Sequence, residues 1–471
     1  MSRSPLARRQ ALAGARSGAA GTPAADGATT PEAEGAAGAA LSSRRTLRRG
    51  GSTSFVLQSS GIALQYGIQV LFARALGVEQ FGTFTYALTW SRLGGSVCHL
   101  GGATSSLRLL PEYSVQERWS LAAGVLRRFR QVALVVGALV AAATSAIILG
   151  VSGRSTGTVA LVIALALVPV SSLIELQQAM TRAYERIFRA FFPWLVLQPV
   201  LLIGAVATLY AAGRKPTVTE ALLLTGGSYL ATIIVQAWWL RRTVPAEVKA
   251  APPAYATREW ARVTLPIFGS NVVYVVFSRL DIVMVGLLRS PRDAGIYAVA
   301  LRAGTVVNIL ETAMASSLAP RISRLYWSDR RAEVEEVVLR SLRLLFIPTL
   351  VLTVVLGVFA RPILSVFGEG FSGGATVLAI IAVGQLVSVG SGAVGWLMNM
   401  TGQQNVTTVV YVIVGGITIA GYLVLIPWLG IAGAAVANAG AVVLRNVALN
   451  VLARRRLGYR ISVLRAFLPN R

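Results

Sequence analysis

The sequence predicts an all-α polytopic membrane protein with about twelve transmembrane helices in two parallel six-helix lobes. Three observations carry that reading. The chain of 471 residues is 55% hydrophobic and only 13% charged, whereas soluble domains run nearer a quarter charged. Twelve stretches are apolar over the roughly 20 residues that a hydrocarbon core requires. Landmarks of the first six stretches recur, in order, in the second six.

Composition also excludes. A single cysteine, Cys98, rules out a disulfide framework and a Cys-based zinc site. A single histidine, His99, rules out His-rich metal sites and argues against most acid–base enzyme chemistry. There is no Gly-x-x-x-x-Gly-Lys-Ser/Thr phosphate loop and no extramembrane loop large enough for a catalytic domain. The chain is therefore read as a non-enzyme without metal or cofactor.

Taken in order, residues 1–50 are Ala, Gly, Pro, Ser and Thr with scattered Arg, and read as a disordered basic cytoplasmic tail. Residues 51–240 form the N-lobe, with spans near 54–75, 81–103, 131–151, 158–180, 191–212 and 220–240. Residues 241–262, with Pro245, Pro252 and Pro253, are the inter-lobe linker. Residues 263–453 form the C-lobe, with spans near 263–288, 295–318, 344–360, 373–399, 404–427 and 430–452. The Gly-rich span 373–399 is long enough to be kinked or split. Residues 454–471 are a basic cytoplasmic tail.

Charge placement tests this count. The net charge is +25, from 44 Lys+Arg against 19 Asp+Glu. With the N-terminus inside, 33 of the 44 cations fall in cytoplasmic segments, seven in outer loops or span ends, and four in spans. That bias places both termini in the cytoplasm. It also accounts for the basic excess without nucleic acid.

The repeat is visible at an offset of 213 residues. Gly82 meets Gly295, Phe84 meets Tyr297, Ala87 meets Ala300 and Leu88 meets Leu301. Pro111 and Pro320 each precede a polar, helix-like segment. Two lobes of like orientation around a central space suit alternating access, with a substrate near the midplane.

Four segments carry a resemblance. They are Phe72-Ala73-Arg74-Ala75-Leu76-Gly77-Val78-Glu79-Gln80-Phe81-Gly82, then Leu280-Asp281-Ile282-Val283-Met284-Val285-Gly286 followed by Ala294-Gly295-Ile296-Tyr297. Pro320-Arg321-Ile322-Ser323-Arg324-Leu325-Tyr326 and Leu429-Gly430-Ile431-Ala432-Gly433-Ala434-Ala435 complete the set. Over about residues 52–458 the chain resembles the polysaccharide transporter (Wzx-like oligosaccharide flippase) family of the MATE-like (MOP) flippase superfamily. The resemblance implies the MATE-like fold and a bacterial cytoplasmic membrane. It implies a polyprenyl-diphosphate-linked oligosaccharide as substrate, moved to the outer leaflet for polysaccharide biosynthesis. Glycosyltransferases and a polymerase would be functional neighbours, and a monomer would suffice. A MATE-type drug or cation antiporter, a glycan polymerase or ligase, and a lipid II flippase are the alternatives.

Ionisable residues inside spans are costly and mark cavities or partners. Arg92 and Arg279 lie about 15 Å deep at 1.5 Å rise per residue, and Arg302 and Glu311 about 10 Å. Arg92, Arg279 and Arg302 are the candidates for holding a diphosphate, because guanidinium stays charged and donates in pairs to phosphate oxygens. Gln65 and Gln69, on a stripe with Gln58, are candidates for sugar hydroxyls. So is Asn271, on a stripe with Tyr274 and Ser278. Asp281 and Glu311 are candidates for ion coupling, although an ion pair with an arginine is the expectation favoured for each. At 100° per residue, Arg279 and Asp281 point about 160° apart and cannot face one cavity. Arg445 is expected to reach the inner interface, Glu175 to be solvated near a span end, and His99 to be structural without a partner.

Overall fold

A computed structural model describes the backbone of residues 31–467 except Arg154, Ala393, Arg460 and Ser462. Side chains are described from Ser60 onward, apart from several between 270 and 320 and a few others. Gln58, Tyr274 and Ser278 fall outside the described side chains. The chain forms two units, Met1–Thr53 and Ser54–Arg471. In the first, the backbone is helical from Pro31, inside the stretch expected to be a tail; residues 1–30 lie outside the described residues.

The described residues are helical and contain no strand. In order they are α1 (Pro31–Cys98), α2 (Gly102–Val115), α3 (Trp119–Ser152), α4 (Thr156–Ala166), α5 (Val168–Ala183) and α6 (Ile187–Phe192). After a π-helical turn at Pro193–Leu197 come α7 (Gln198–Ala211), α8 (Val218–Thr243), α9 (Ala246–Ala250), α10 (Thr257–Leu288), α11 (Pro291–Thr305) and α12 (Val307–Trp327). Then follow α13 (Arg331–Val358), α14 (Ala360–Ser365), α15 (Ala375–Gly390), α16 (Val394–Met400), α17 (Gln404–Leu429), α18 (Ile431–Leu457) and α19 (Val463–Phe467).

Among the described residues, nine helices are long and apolar enough to cross a membrane. The first, Ser60–Val115, holds two expected spans, because α1 breaks at Gly77. Gly77 has φ 71° and ψ 171°, a region open essentially to glycine. The chain folds back there. The Phe72 and Phe84 rings lie 4.9 Å apart, whereas twelve residues of straight helix would separate them by about 18 Å. Expected spans seven and eight are helical as α10 and as α11 with α12, and carry the ionisable residues noted above. The Gly-rich tenth span is split at Gly392 (φ 75°) into α15 and α16.

Local chemistry sets several starts. Thr217 and Glu220 form a capping box at α8, and Ser290 caps α11 with Pro291 at its first turn. Large apolar side chains on α3, α13 and α17, such as Leu139, Ile147, Val351, Val358, Ile413 and Val424, are exposed. In water such surfaces would aggregate; around a bilayer they are the face that lipid requires.

Helices α2, α3, α4, α5 and α8 pack among themselves, as do α10, α11, α13, α15, α17 and α18. The largest core joins the two sets at the end that carries Gly77 and Pro291. It includes Phe72, Phe81, Phe84, Ile282, Tyr297 and Phe371. There the repeat-related glycines touch: a Cβ on Gly295 would lie 2.5 Å from the Gly82 Cα, and one on Gly82 would overlap the Pro291 backbone. The Phe81 and Phe371 rings meet edge-on at 5.5 Å. That end is sealed.

Candidate functional site

Below the seal, α1, α7, α8, α10 and α11 surround a narrow cleft of about 60 Å³. Gln65, Gln69, Phe72, Phe84, Thr85, Arg92, Gln198, Arg279 and Arg302 line it. A second cavity of about 390 Å³ shares Gln65, Arg92 and Arg279 and extends along α2 and α5. Its further lining includes Thr104, Glu175, Gln178, Arg182 and Trp194. The volume falls in the ~300–1,000 Å³ range of small-molecule sites.

The structure thus brings Arg92, Arg279, Arg302, Gln65 and Gln69 around one space. Gln65 Nε2 donates to Gln198 Oε1 at 3.4 Å, and Gln198 Nε2 donates to Ser228 Oγ at 3.4 Å. The Tyr66 hydroxyl donates to the Arg302 carbonyl, which pins α11 to α1. The Arg92 guanidinium carbon sits 5.9 Å from the centroid of the Trp194 ring, a cation–π approach. Trp194 is delivered by the π-helical turn. Pro193 cannot donate a backbone hydrogen bond, and the Gln198 N–H reaches back five residues to the Pro193 carbonyl. The Arg92 Nε is buried without a partner. Among the described residues, none of Arg92, Arg279 and Arg302 forms an ion pair with a carboxylate.

Asn271 does not line either cavity. Its Nδ2 donates to Thr104 Oγ1 at 3.0 Å, tying α10 to α2 at a residue that lines the larger cavity with Arg92 and Arg279. Asp281 lies on the opposite face of α10 from Arg279, buried at 3% exposure. The expected arginine ion pair is absent. Its oxygens accept from the Ile282 N–H at 2.8 Å, the Tyr297 hydroxyl at 3.2 Å and Asn438 Nδ2 at 3.3 Å. Three neutral donors satisfy the carboxylate. Glu311 accepts from Ser388 Oγ at 3.5 Å and has Arg445 as an electrostatic neighbour without a formed ion pair. The Arg445 guanidinium lies 5.2 Å from the Tyr411 ring centroid.

Two expectations are corrected outright. His99 has a partner: its Nε2 lies 3.3 Å from Glu175 Oε2. Glu175 is not simply solvated, since Ser96 Oγ donates to its Oε1 at 2.7 Å and it lines the larger cavity. Arg92, Ser96 and His99 share one stripe of α1, and that spacing held the signal for both residues. Trp194 and Gln178 carried none, because an apolar aromatic and a span-end amide are ordinary in a membrane helix.

The polysaccharide biosynthesis protein family matches residues 47–326, and the MatE family matches residues 266–446. A probable low-salt glycan biosynthesis flippase, Agl15, from Haloferax volcanii is 24% identical over 402 residues, 83% of this chain and 80% of that one. An inward-facing multidrug resistance MATE transporter of the MOP superfamily superposes with TM-score 0.69 at 14% identity, covering 86% of this chain and 98% of that one. The lipid II flippase MurJ, in an inward closed conformation, gives TM-score 0.67 at 15% identity, covering 85% and 87%. The chain belongs to the polysaccharide biosynthesis protein family, and its fold is that of the MOP superfamily of membrane transporters. It is a transporter-family protein rather than an enzyme.

Proposed function

We propose that the chain flips a polyprenyl-diphosphate-linked oligosaccharide from the cytoplasmic to the outer leaflet, by alternating access of two lobes around the arginine-lined space. One observation carries this reading: three guanidinium groups face one cavity with no carboxylate paired to them. Partly buried cations left unpaired cost several kcal/mol each, about 3–5 where a buried pair is broken. An anionic ligand offsets that cost at the moment of binding. A diphosphate offers oxygens on two adjacent phosphorus centres, and charge-assisted hydrogen bonds to them are worth about 1.5–3 kcal/mol each.

The roles then divide. Arg92 and Arg279 hold the diphosphate where the two cavities meet, with Arg302 on the side of the seal. Gln65 and Gln69 donate and accept at sugar hydroxyls. Asn271 acts at the same cavity through Thr104, to which it donates. With both termini cytoplasmic, the sealed end faces outward and the larger cavity faces the cytoplasm, where such a substrate is made. Asp281 and Glu311 are the candidates for a coupling ion, since both are C-lobe carboxylates that form no ion pair among the described residues. The relative's glycan-biosynthesis description supports the same substrate class. An antiporter for organic cations would place carboxylates, not three arginines, around the space.

Depletion of the protein in its host, with wild-type or Arg279→Ala complementation, tests the proposal. The measurement is the leaflet in which polyprenyl-diphosphate oligosaccharide accumulates. Cytoplasmic accumulation rescued by wild type and not by Arg279→Ala is expected. Normal outer-leaflet glycolipid after depletion, with no redundant carrier, would overturn it.

A further inference from the structure

Glu175 is the single carboxylate lining either cavity among the described residues. It sits on α5, held by Ser96 Oγ at 2.7 Å and by His99 Nε2 at 3.3 Å. His99 is 7% exposed, and its Nδ1 is buried without a partner. Ser96 and His99 thus fix the position of the Glu175 carboxylate at the cavity wall. The carboxylate itself is not sealed away, for its side chain is 41% exposed to the cavity.

Glu175 acts electrostatically on Arg92 and Arg279 without touching either. Ser96 and His99 hold it at that distance. Arg182 also lines the cavity but is exposed at its mouth, where solvent and salt screen it. Arg92 and Arg279 share the larger cavity with Glu175, and Arg302 lines the adjoining cleft.

We propose that Glu175 is the counter-charge that sets release: fixed by Ser96 and His99 in the cavity that Arg92 and Arg279 line, it offsets part of the arginine cluster's charge, so that a diphosphate headgroup binds and can still leave. This rests on the flippase reading above. Conduction through any binding site needs affinity high enough to enter and low enough to exit. A cavity with three uncompensated cations would retain the headgroup. Tighter ground-state binding lowers the half-saturating concentration and slows turnover together.

The test uses full-length protein in lipid nanodiscs and vesicles. The probe is a short-chain prenyl diphosphate monosaccharide, with an uncharged alkyl glycoside of the same sugar as control. Glu175→Gln is expected to bind the diphosphate probe about tenfold tighter at low salt, with the gain shrinking at high salt. Its flipping rate at saturation and its half-saturating concentration are both expected to fall, and the uncharged glycoside should respond to neither. Gln178→Glu adds a carboxylate to the same cavity and is expected to weaken diphosphate binding about tenfold, which keeps the idea testable if Glu175→Gln does not fold. Glu175→Asp keeps the charge and should behave as wild type. Unchanged or weaker diphosphate binding by folded Glu175→Gln overturns the counter-charge role. Wild type that fails to bind the probe, or binding indifferent to Arg279→Ala, instead overturns the flippase reading on which it rests.

Discussion

Substituting Gly82 with alanine should unseal the closed end. The added methyl has no room, because the Pro291 carbonyl and Arg292 Cα occupy its place and both are backbone. Overpacking of this kind costs about 1–3 kcal/mol. Alanine also gains about 1 kcal/mol over glycine within a helix, but that gain is the same in any state that keeps α1 helical. Only the clash distinguishes closed from open, so the equilibrium should shift by about 1–3 kcal/mol, or about 5- to 150-fold. The assay is thiol labelling. Cys98, the single native cysteine, is buried, and Cys98→Ser gives a blank background. Thr85→Cys then reports from the cleft beneath the seal. A membrane-impermeant maleimide added from the sealed side should label it many-fold faster in Gly82→Ala than with native Gly82. Gly67→Ala, where a Cβ meets nothing within 4 Å, is the control and should leave labelling unchanged. Equal labelling of Gly82→Ala and the control, in folded protein, would refute the argument that this glycine contact is the seal.

Other outcomes follow from single contacts. Asp281→Ala should leave the Tyr297 hydroxyl and Asn438 amide without their acceptor, at a cost of about 1–3 kcal/mol for each buried group; thermal unfolding in detergent reads it as a lower midpoint. Tyr113→Phe removes the acceptor of the buried Trp260 indole N–H at 2.9 Å, and should destabilise by about 1–3 kcal/mol, again read as a lower midpoint. At the start of α8, the Thr217 N–H donates to Glu220 Oε2 at 2.8 Å and the Glu220 N–H to Thr217 Oγ1 at 3.3 Å. Glu220→Ala should lower the thermal midpoint by removing one half of this capping box; an unchanged midpoint would contradict its contribution.

Much of the scaffold was legible because the bilayer simplifies the code. Span length, the Arg bias and the breaks at glycine are local or additive signals, and Gly77 and Gly392 turn the chain where the pattern placed a hairpin and a split helix. The helical angle between Arg279 and Asp281 was equally local, and the two do face different spaces. The partners were harder to read. Asp281 was expected to seek an arginine, since pairing opposite charges is the cheapest rule available from sequence. The structure satisfies it with a tyrosine, an asparagine and a backbone N–H drawn from α11, α18 and α10, a set separated by up to 157 residues. Asn271 was placed on the cavity by its stripe, but a stripe says nothing about which neighbour it bonds; that neighbour is Thr104 of α2, which lines the larger cavity. Glu175 was discounted for lying near a span end, where a carboxylate is ordinarily wet; only the fold shows that Ser96 and His99 reach it.

The repeat explains why the scaffold was easier to read than the site. At the 213-residue offset, Gly82 and Gly295 are equivalent, and they touch each other. Equivalent positions of two repeats meet where their symmetry axis passes, so that contact must be repeated in the sequence to exist at all. The charges obey no such rule. The counterpart of Arg279 is Tyr66, that of Arg302 is Thr89, and that of Arg92 is Thr305. Tyr66 even serves its own lobe's opposite, by donating to the Arg302 carbonyl. A symmetric gate lets two like lobes rock about one point. A lipid-linked glycan has a headgroup at one end and a tail at the other, and a site that was symmetric about the same axis would present its arginines to both ends alike. Substituting arginine at the counterpart, Tyr66→Arg, would place a further cation beside Arg302 and remove the pin on α11. On the flippase reading it should slow flipping even though it makes the two lobes more alike. Wild-type flipping by folded Tyr66→Arg would show that charge asymmetry between the lobes is incidental.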